Sequence, residues 1–187
     1  MKKSECIKKL IEAFMEDKNC SGVEDGYRGL AFDELKKHVS KAEFKSKKGG
    51  WIKHSHQNRI GQDSLKNVDK KFTNLKSSDW KGCDFDSLYD SVKKRIENVV
   101  GIGPLMVYDT TLRFAAFYGV KPKKVYLHAG AWEGAKYLVE AGLMARPKSR
   151  VVPLSEFPEE LQKLSAKNVE IFLCVKKDEL KKLKKIK

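Results

Sequence analysis

The chain has 187 residues and a mass of 21.3 kDa, with 41% hydrophobic residues, 34% charged residues and a mean hydropathy of -0.54. That suits one soluble domain with its own core, and no apolar run approaches the roughly 20 residues of a membrane span. Lys plus Arg is 39 and Asp plus Glu is 25, a net charge of +14, so the first partner class to consider is a polyanion such as nucleic acid.

The opening residues, Met1 to Glu5, lead into an amphipathic stretch and lack the apolar core of a secretory signal, so a cytoplasmic protein is expected. Cys6, Cys20, Cys83 and Cys174 form no CxxC pair and read as reduced thiols. Ile7, Leu10, Ile11, Phe14 and Met15 mark a surface helix over 4–17, and Asn19, Ser21 and Gly22 signal a turn. Asp33 caps or opens a second helix through Leu35 and Val39. Lys45 to Gly50 has loop composition, and Trp51-Ile52 returns to packed structure. A short helix runs from Asp63-Ser64 to Phe72. After a break at Ser77 to Gly82, Asp86 to Val100 carries Leu88, Val92, Ile96 and Val99 on one helical face.

Gly101-Ile102-Gly103-Pro104 interrupts the chain, and Pro104 suits the first turn of a helix reaching Tyr118. Gly119 stops that helix, with Pro122 beyond it. Lys123 to Gly130 is a short strand or a turn of helix. Trp132 to Ala141 is helical, and Pro147 to Pro153 is a connector. Phe157 to Leu164 and Ala166 to Leu183 complete the helices, and Val169, Phe172, Leu173 and Leu180 favour helix through NVEIFLCV. With no long strand alternation, the expected fold is all-α or predominantly α: a compact multi-helix single domain over 1–187 with a basic tail at 176–187.

The charge is uneven. Lys36 to Lys76 holds 12 basic residues against Glu43, Asp63 and Asp69, and Lys176 to Lys187 holds seven lysines against Asp178 and Glu179. The tail reads as frayed. The excess is almost all lysine, which suits loose attraction without sequence reading.

The stretch IENVVGIGPLMVYDTTLRFAAFYG, residues 96–119, resembles the hairpin and second helix of a helix-hairpin-helix element, which is read over 86–118. The resemblance implies a Gly-hydrophobic-Gly turn, Gly101, Ile102 and Gly103, whose backbone N–H groups meet phosphate oxygens beside a helix start. It implies sequence-independent binding of nucleic-acid backbone, DNA first. Lys93, Lys94 and Arg95 and the lysines of 36–76 would supply charge. The glycosylases of that superfamily place a catalytic aspartate about 20 residues past the hairpin, and here no acid lies between Thr110 and Ala131.

A second set of polar residues suggests an enzyme of unknown substrate. Tyr108, Asp109 and Arg113 lie on a mostly apolar helix, and His128 follows on the next segment. Asp109 and Arg113 stand i, i+4 with the acid first, the order that favours an ion pair fixing the helix. His56, Gln57 and Arg59 are candidates for phosphate contact or for satisfying nearby backbone groups. His54 and His56 lack an acid or cysteine at ligand spacing, so no metal is expected, and no cofactor motif is present. A protein partner with an acidic face is a third class.

Overall fold

The computed structural model describes residues 2–16, 25–46, 48–53 and 57–186. It is predominantly helical, at 59%, with two small β-hairpins. The residues gather into two compact units. One unit spans Gly22–Lys121. The other combines Met1–Ser21 with Pro122–Lys187.

The Gly22–Lys121 unit contains α2 (Phe32–Ser40), α3 (Gln62–Phe72), α4 (Phe85–Ile96) and α5 (Pro104–Tyr118). A 3-10 turn at Asp25–Tyr27 packs on α5. Strands β1 (Glu43–Lys45) and β2 (Trp51–Lys53) form an antiparallel hairpin in the register Phe44↔Ile52. Of Lys45 to Gly50, read as a loop from composition, Lys45 ends β1, and the described residues Ser46 and Lys48 to Gly50 lie between the two strands. Its strands are three residues each, too short for alternation to show.

Helix α5 is the centre of this unit, buried along most of its length from Met106 to Ala116. Phe114 gathers an aromatic cluster, with ring centroids 5.1 Å from Phe72 and 4.9 Å from Trp80, both edge-on. Edge-to-face packing of this kind adds about 0.5–1.5 kcal/mol per pair beyond burial. Gly119 ends α5 at φ +72, the left-handed conformation expected of a glycine stop. Helix α4 packs along α5, and its N-terminus is capped by Asp84, which accepts from the Ser87 N–H at 2.8 Å.

The other unit contains α1 (Lys3–Glu16), α6 (Ala129–Glu140), α7 (Glu159–Gln162), α8 (Ala166–Val175) and α9 (Lys177–Leu180). Strand β3 (Lys124–Tyr126) pairs antiparallel with β4 (Val151–Pro153), Val125 opposite Val152. Pro147 to Pro153, read as a connector, therefore ends in a strand. Phe14 of α1 meets Phe172 of α8 edge-on at 5.5 Å. The end of the chain differs from expectation. The described part of 176–187 is not frayed, because Leu180 and Leu183 are buried in the core and carry α9 and a 3-10 turn (Lys181–Lys185) with them. Two leucines spaced i, i+3 among lysines are enough to dock one face while the lysine heads stay in water. Among the described residues no helix is long and apolar enough to cross a membrane.

Helices α6 and α8 make the tightest approach. Gly134 faces the backbone of Leu173, and a Cβ there would collide with the Leu173 carbonyl. One turn earlier Gly130 faces Cys174 in the same way, so glycines define the contact. Gly134→Ala is therefore expected to destabilise the protein by about 1–3 kcal/mol, although alanine is the better helix former. Urea denaturation checks it, and an unchanged or higher midpoint would contradict the close approach.

Candidate functional site

The hairpin between α4 and α5 uses its two glycines differently. Gly101 has φ +83, and a Cβ on it would lie 2.8 Å from the Ser64 hydroxyl oxygen. Ser64 donates to the Val100 carbonyl at 2.7 Å, which ties the turn to the first turn of α3. Gly101 is thus required by backbone conformation and by packing. Gly103 is different. Its φ of -101 is open to any residue, and an added Cβ would meet nothing within 4 Å. Ile102 turns inward and packs with Leu65 and Met106.

This packing sets the starts of α3 and α5 side by side. Both helices have a glycine at the N-cap, Gly61 and Gly103, and neither has a side-chain cap. The first-turn N–H groups, those of Gln62 to Ser64 on α3 and of Leu105 and Met106 on α5, where Pro104 has none, therefore have no side-chain cap at either N-cap. Arg59, Gly61, Gln62, Gly103 and Pro104 are exposed there. Asp63, exposed in the first turn of α3, is matched by Lys66 at 3.4 Å. Val100 is 88% exposed at the tip of the turn.

The cations expected beside the hairpin are partly committed elsewhere. Lys93 reaches Glu97 at 3.9 Å. Arg95 lies over the Trp80 ring at 5.6 Å and donates to the Lys71 carbonyl, so it fastens α4 to α3. Lys94 is exposed. Lys36, whose side chain is only 13% exposed, donates to the Thr73 and Leu75 carbonyls and pairs with Asp33. Lys53 donates to the Ile60 carbonyl. These lysines cap and join backbone rather than enlarge a basic face.

The second set of residues is brought together only in part. Asp109 and Arg113 are joined through Gln57. Its amide nitrogen donates to Asp109 Oδ2 at 2.6 Å, and Arg113 Nη2 donates to Gln57 Oε1 at 2.6 Å. Gln57 is 2% exposed and Arg113 3%. Gln57 thus spends its amide on two side chains rather than on the phosphate or the neighbouring backbone groups considered for it. Tyr27 joins the group, donating to the Glu43 carbonyl at 2.6 Å. Burial pushes the Tyr27 phenol pKa up, the adjacent Arg113 guanidinium pulls it back in part, and Asp109 and Glu43 push it further up. Beyond Tyr27, Glu43 bonds to His38 at 2.9 Å, and the His38 ring stacks on Trp51 at 3.6 Å.

The Tyr108 ring is set against Phe85 of α4 with centroids 6.0 Å apart. His128 belongs to the other unit, where it precedes α6 as its N-cap residue. His56 lies outside the described residues. No group of His, Cys, Asp or Glu that could hold a metal occurs among the described residues. Comparison with protein-family models, curated proteins and solved structures found no match to this chain.

The Gln57 bridge carries a stability expectation. Arg113→Met leaves Gln57 Oε1 buried without its donor and should cost about 2–3 kcal/mol, the scale of a hydrogen bond to a charged group plus an unsatisfied acceptor. Asp109, which is half-buried, should cost less as Asp109→Asn. Thermal melts of both variants and of the double variant test the coupling, which strict additivity would refute.

Stability should also fall in alkali. A phenol whose pKa rises on folding contributes stability that is complete below its unfolded value and is lost as pH climbs above it. Tyr27, Tyr89 and Tyr118 are all raised from 10.0 by burial, Tyr118 to about 12. The loss should begin near pH 10 and extend past about pH 12, and Tyr27→Phe should make it shallower. Melting temperatures recorded across that range are the check, and a flat profile would count against it.

Proposed function

We propose that the Gly22–Lys121 unit binds nucleic-acid backbone, DNA in the first instance, at the surface where α3 and α5 begin. The observation that carries this reading is the pair of adjacent helix starts with glycine N-caps. Their uncapped N–H groups and the positive ends of the two helix dipoles suit phosphate oxygens. The absence of a side chain at Gly103 leaves its backbone open to close approach. Arg59, exposed one turn before α3, adds a guanidinium able to grip a phosphate with two hydrogen bonds. The net charge of +14 supplies long-range attraction for any polyanion. Nothing in this surface reads a base edge, so the binding is indifferent to sequence.

Fluorescence anisotropy with a labelled duplex across a salt series is the direct test. Affinity should fall steeply with ionic strength through counterion release, and Arg59→Ala should reduce the logarithmic salt slope by about 1. The glycines separate binding from folding. Gly103→Ala should weaken binding and leave the melting temperature near wild type, whereas Gly101→Ala should lose about 1 kcal/mol or more of stability. No binding at low salt, or a Gly103→Ala protein that binds like wild type, would defeat the proposal.

A further inference from the structure

The face of α6 opposite its contact with α8 is not covered. Trp132, Ala135, Lys136, Val139 and Glu140 recur there at helical spacing, and Arg146 and Pro147 close the other wall. They enclose an open groove of about 270 Å³. That is just below the ~300 Å³ lower end of small-molecule sites, so it admits one flat ring rather than a bulky cofactor.

The chemistry of the lining is specific. Ala135, Val139 and Pro147 supply an apolar floor. The Trp132 indole stands beside it, and the Arg150 guanidinium lies over the indole ring at 4.0 Å while donating to the Leu127 carbonyl. The ring is thus held in place by a cation that lies outside the groove. The acid in the lining, Glu140, is paired with Lys184 at 3.4 Å. Lys136 and Arg146 have no ion-pair partner among the described residues. A held aromatic, an apolar floor and two uncommitted cations match a ligand with a planar aromatic ring and an adjacent anion.

We infer that this groove takes an unstacked base of single-stranded nucleic acid, the base against Trp132 and its phosphate between Lys136 and Arg146. A duplex presents no free base face, so the groove distinguishes single strands from duplex, which the surface at α3 and α5 does not. The inference rests on the nucleic-acid reading only in taking a strand as the source of the base, since the two sites share no residue.

The test measures wild type, Trp132→Leu, Trp132→Phe, Lys136→Ala/Arg146→Ala and Gly103→Ala against a labelled oligothymidine and a labelled hairpin duplex, with a thermal melt of each protein. Trp132→Leu should weaken oligothymidine binding about tenfold, the scale of one lost base–aromatic stack, and leave duplex binding within about twofold. Trp132→Phe should keep most of the affinity. Lys136→Ala/Arg146→Ala changes only exposed groups, so it keeps the test valid if Trp132→Leu fails to fold. It should weaken oligothymidine binding and lower its salt slope by up to about 2. If the double variant binds oligothymidine like wild type, the groove plays no part and the inference is overturned. If poly-glutamate competes as well as oligothymidine and Trp132→Phe behaves as Trp132→Leu, the groove is a general anion surface and the inference is again overturned. Duplex binding lost in Gly103→Ala but unaffected by the groove variants would uphold the α3–α5 surface. Oligothymidine binding that depends on Trp132 but not on Gly103 would uphold the groove alone. Absence of binding to either probe would remove both.

Discussion

A guanidinium buried on the central helix constrains the whole Gly22–Lys121 unit. Arg113 is 97% removed from water on α5, and a buried guanidinium carries five N–H donors, so the fold must bring it acceptors. Gln57 meets that demand at Nη2 and hands the polarity on to Asp109, while Nη1 is buried without an acceptor among the described residues. Holding Gln57 against α5 also fixes the chain that follows it. Ile60 accepts no freedom of its own: its N–H is bonded back to the Gln57 carbonyl and its carbonyl is held by Lys53. From there Gly61 opens α3, and Ser64 reaches the Val100 carbonyl. The internal polar cluster and the exposed helix starts are two ends of one hydrogen-bonded path.

Much of this was legible in the sequence wherever the information was local. The spacing of Leu88, Val92 and Ile96 gave a helix, and Pro104 and Gly119 marked the limits of α5 correctly. NVEIFLCV is helical, as the positions of Val169, Phe172 and Leu173 required. What escaped depends on residues far apart in the chain. Tyr27, Glu43, Gln57 and Arg113 come from four separate segments, and no spacing rule relates them. Lys36 and Arg95 looked like surface charge because composition does not say where a lysine or arginine head ends, and both end on backbone carbonyls. Leu180 and Leu183 were hidden by the lysines around them.

The two glycines of the hairpin illustrate how one tripeptide can combine unlike requirements. At Gly101 the absence of a side chain is a demand of the fold, through a positive φ and the Ser64 hydroxyl. At Gly103 the fold makes no such demand, and an alanine would fit the described surroundings. Gly103, which serves the fold only as the N-cap of α5, is the more informative of the two about what approaches the protein from outside.

The edge-on pair of Phe14 and Phe172 has a consequence for how the molecule comes into being. These rings belong to one core, yet the entire Gly22–Lys121 unit lies between them in the chain. During synthesis α1 emerges before the residues of its core, Val125 to Leu183, have been made. Bringing α1 to α8 closes a loop of more than a hundred residues, a non-local step of the kind that slows folding. Until it closes, Ile7 and Phe14 remain an apolar stripe exposed to water, the kind of surface through which an incompletely folded chain aggregates.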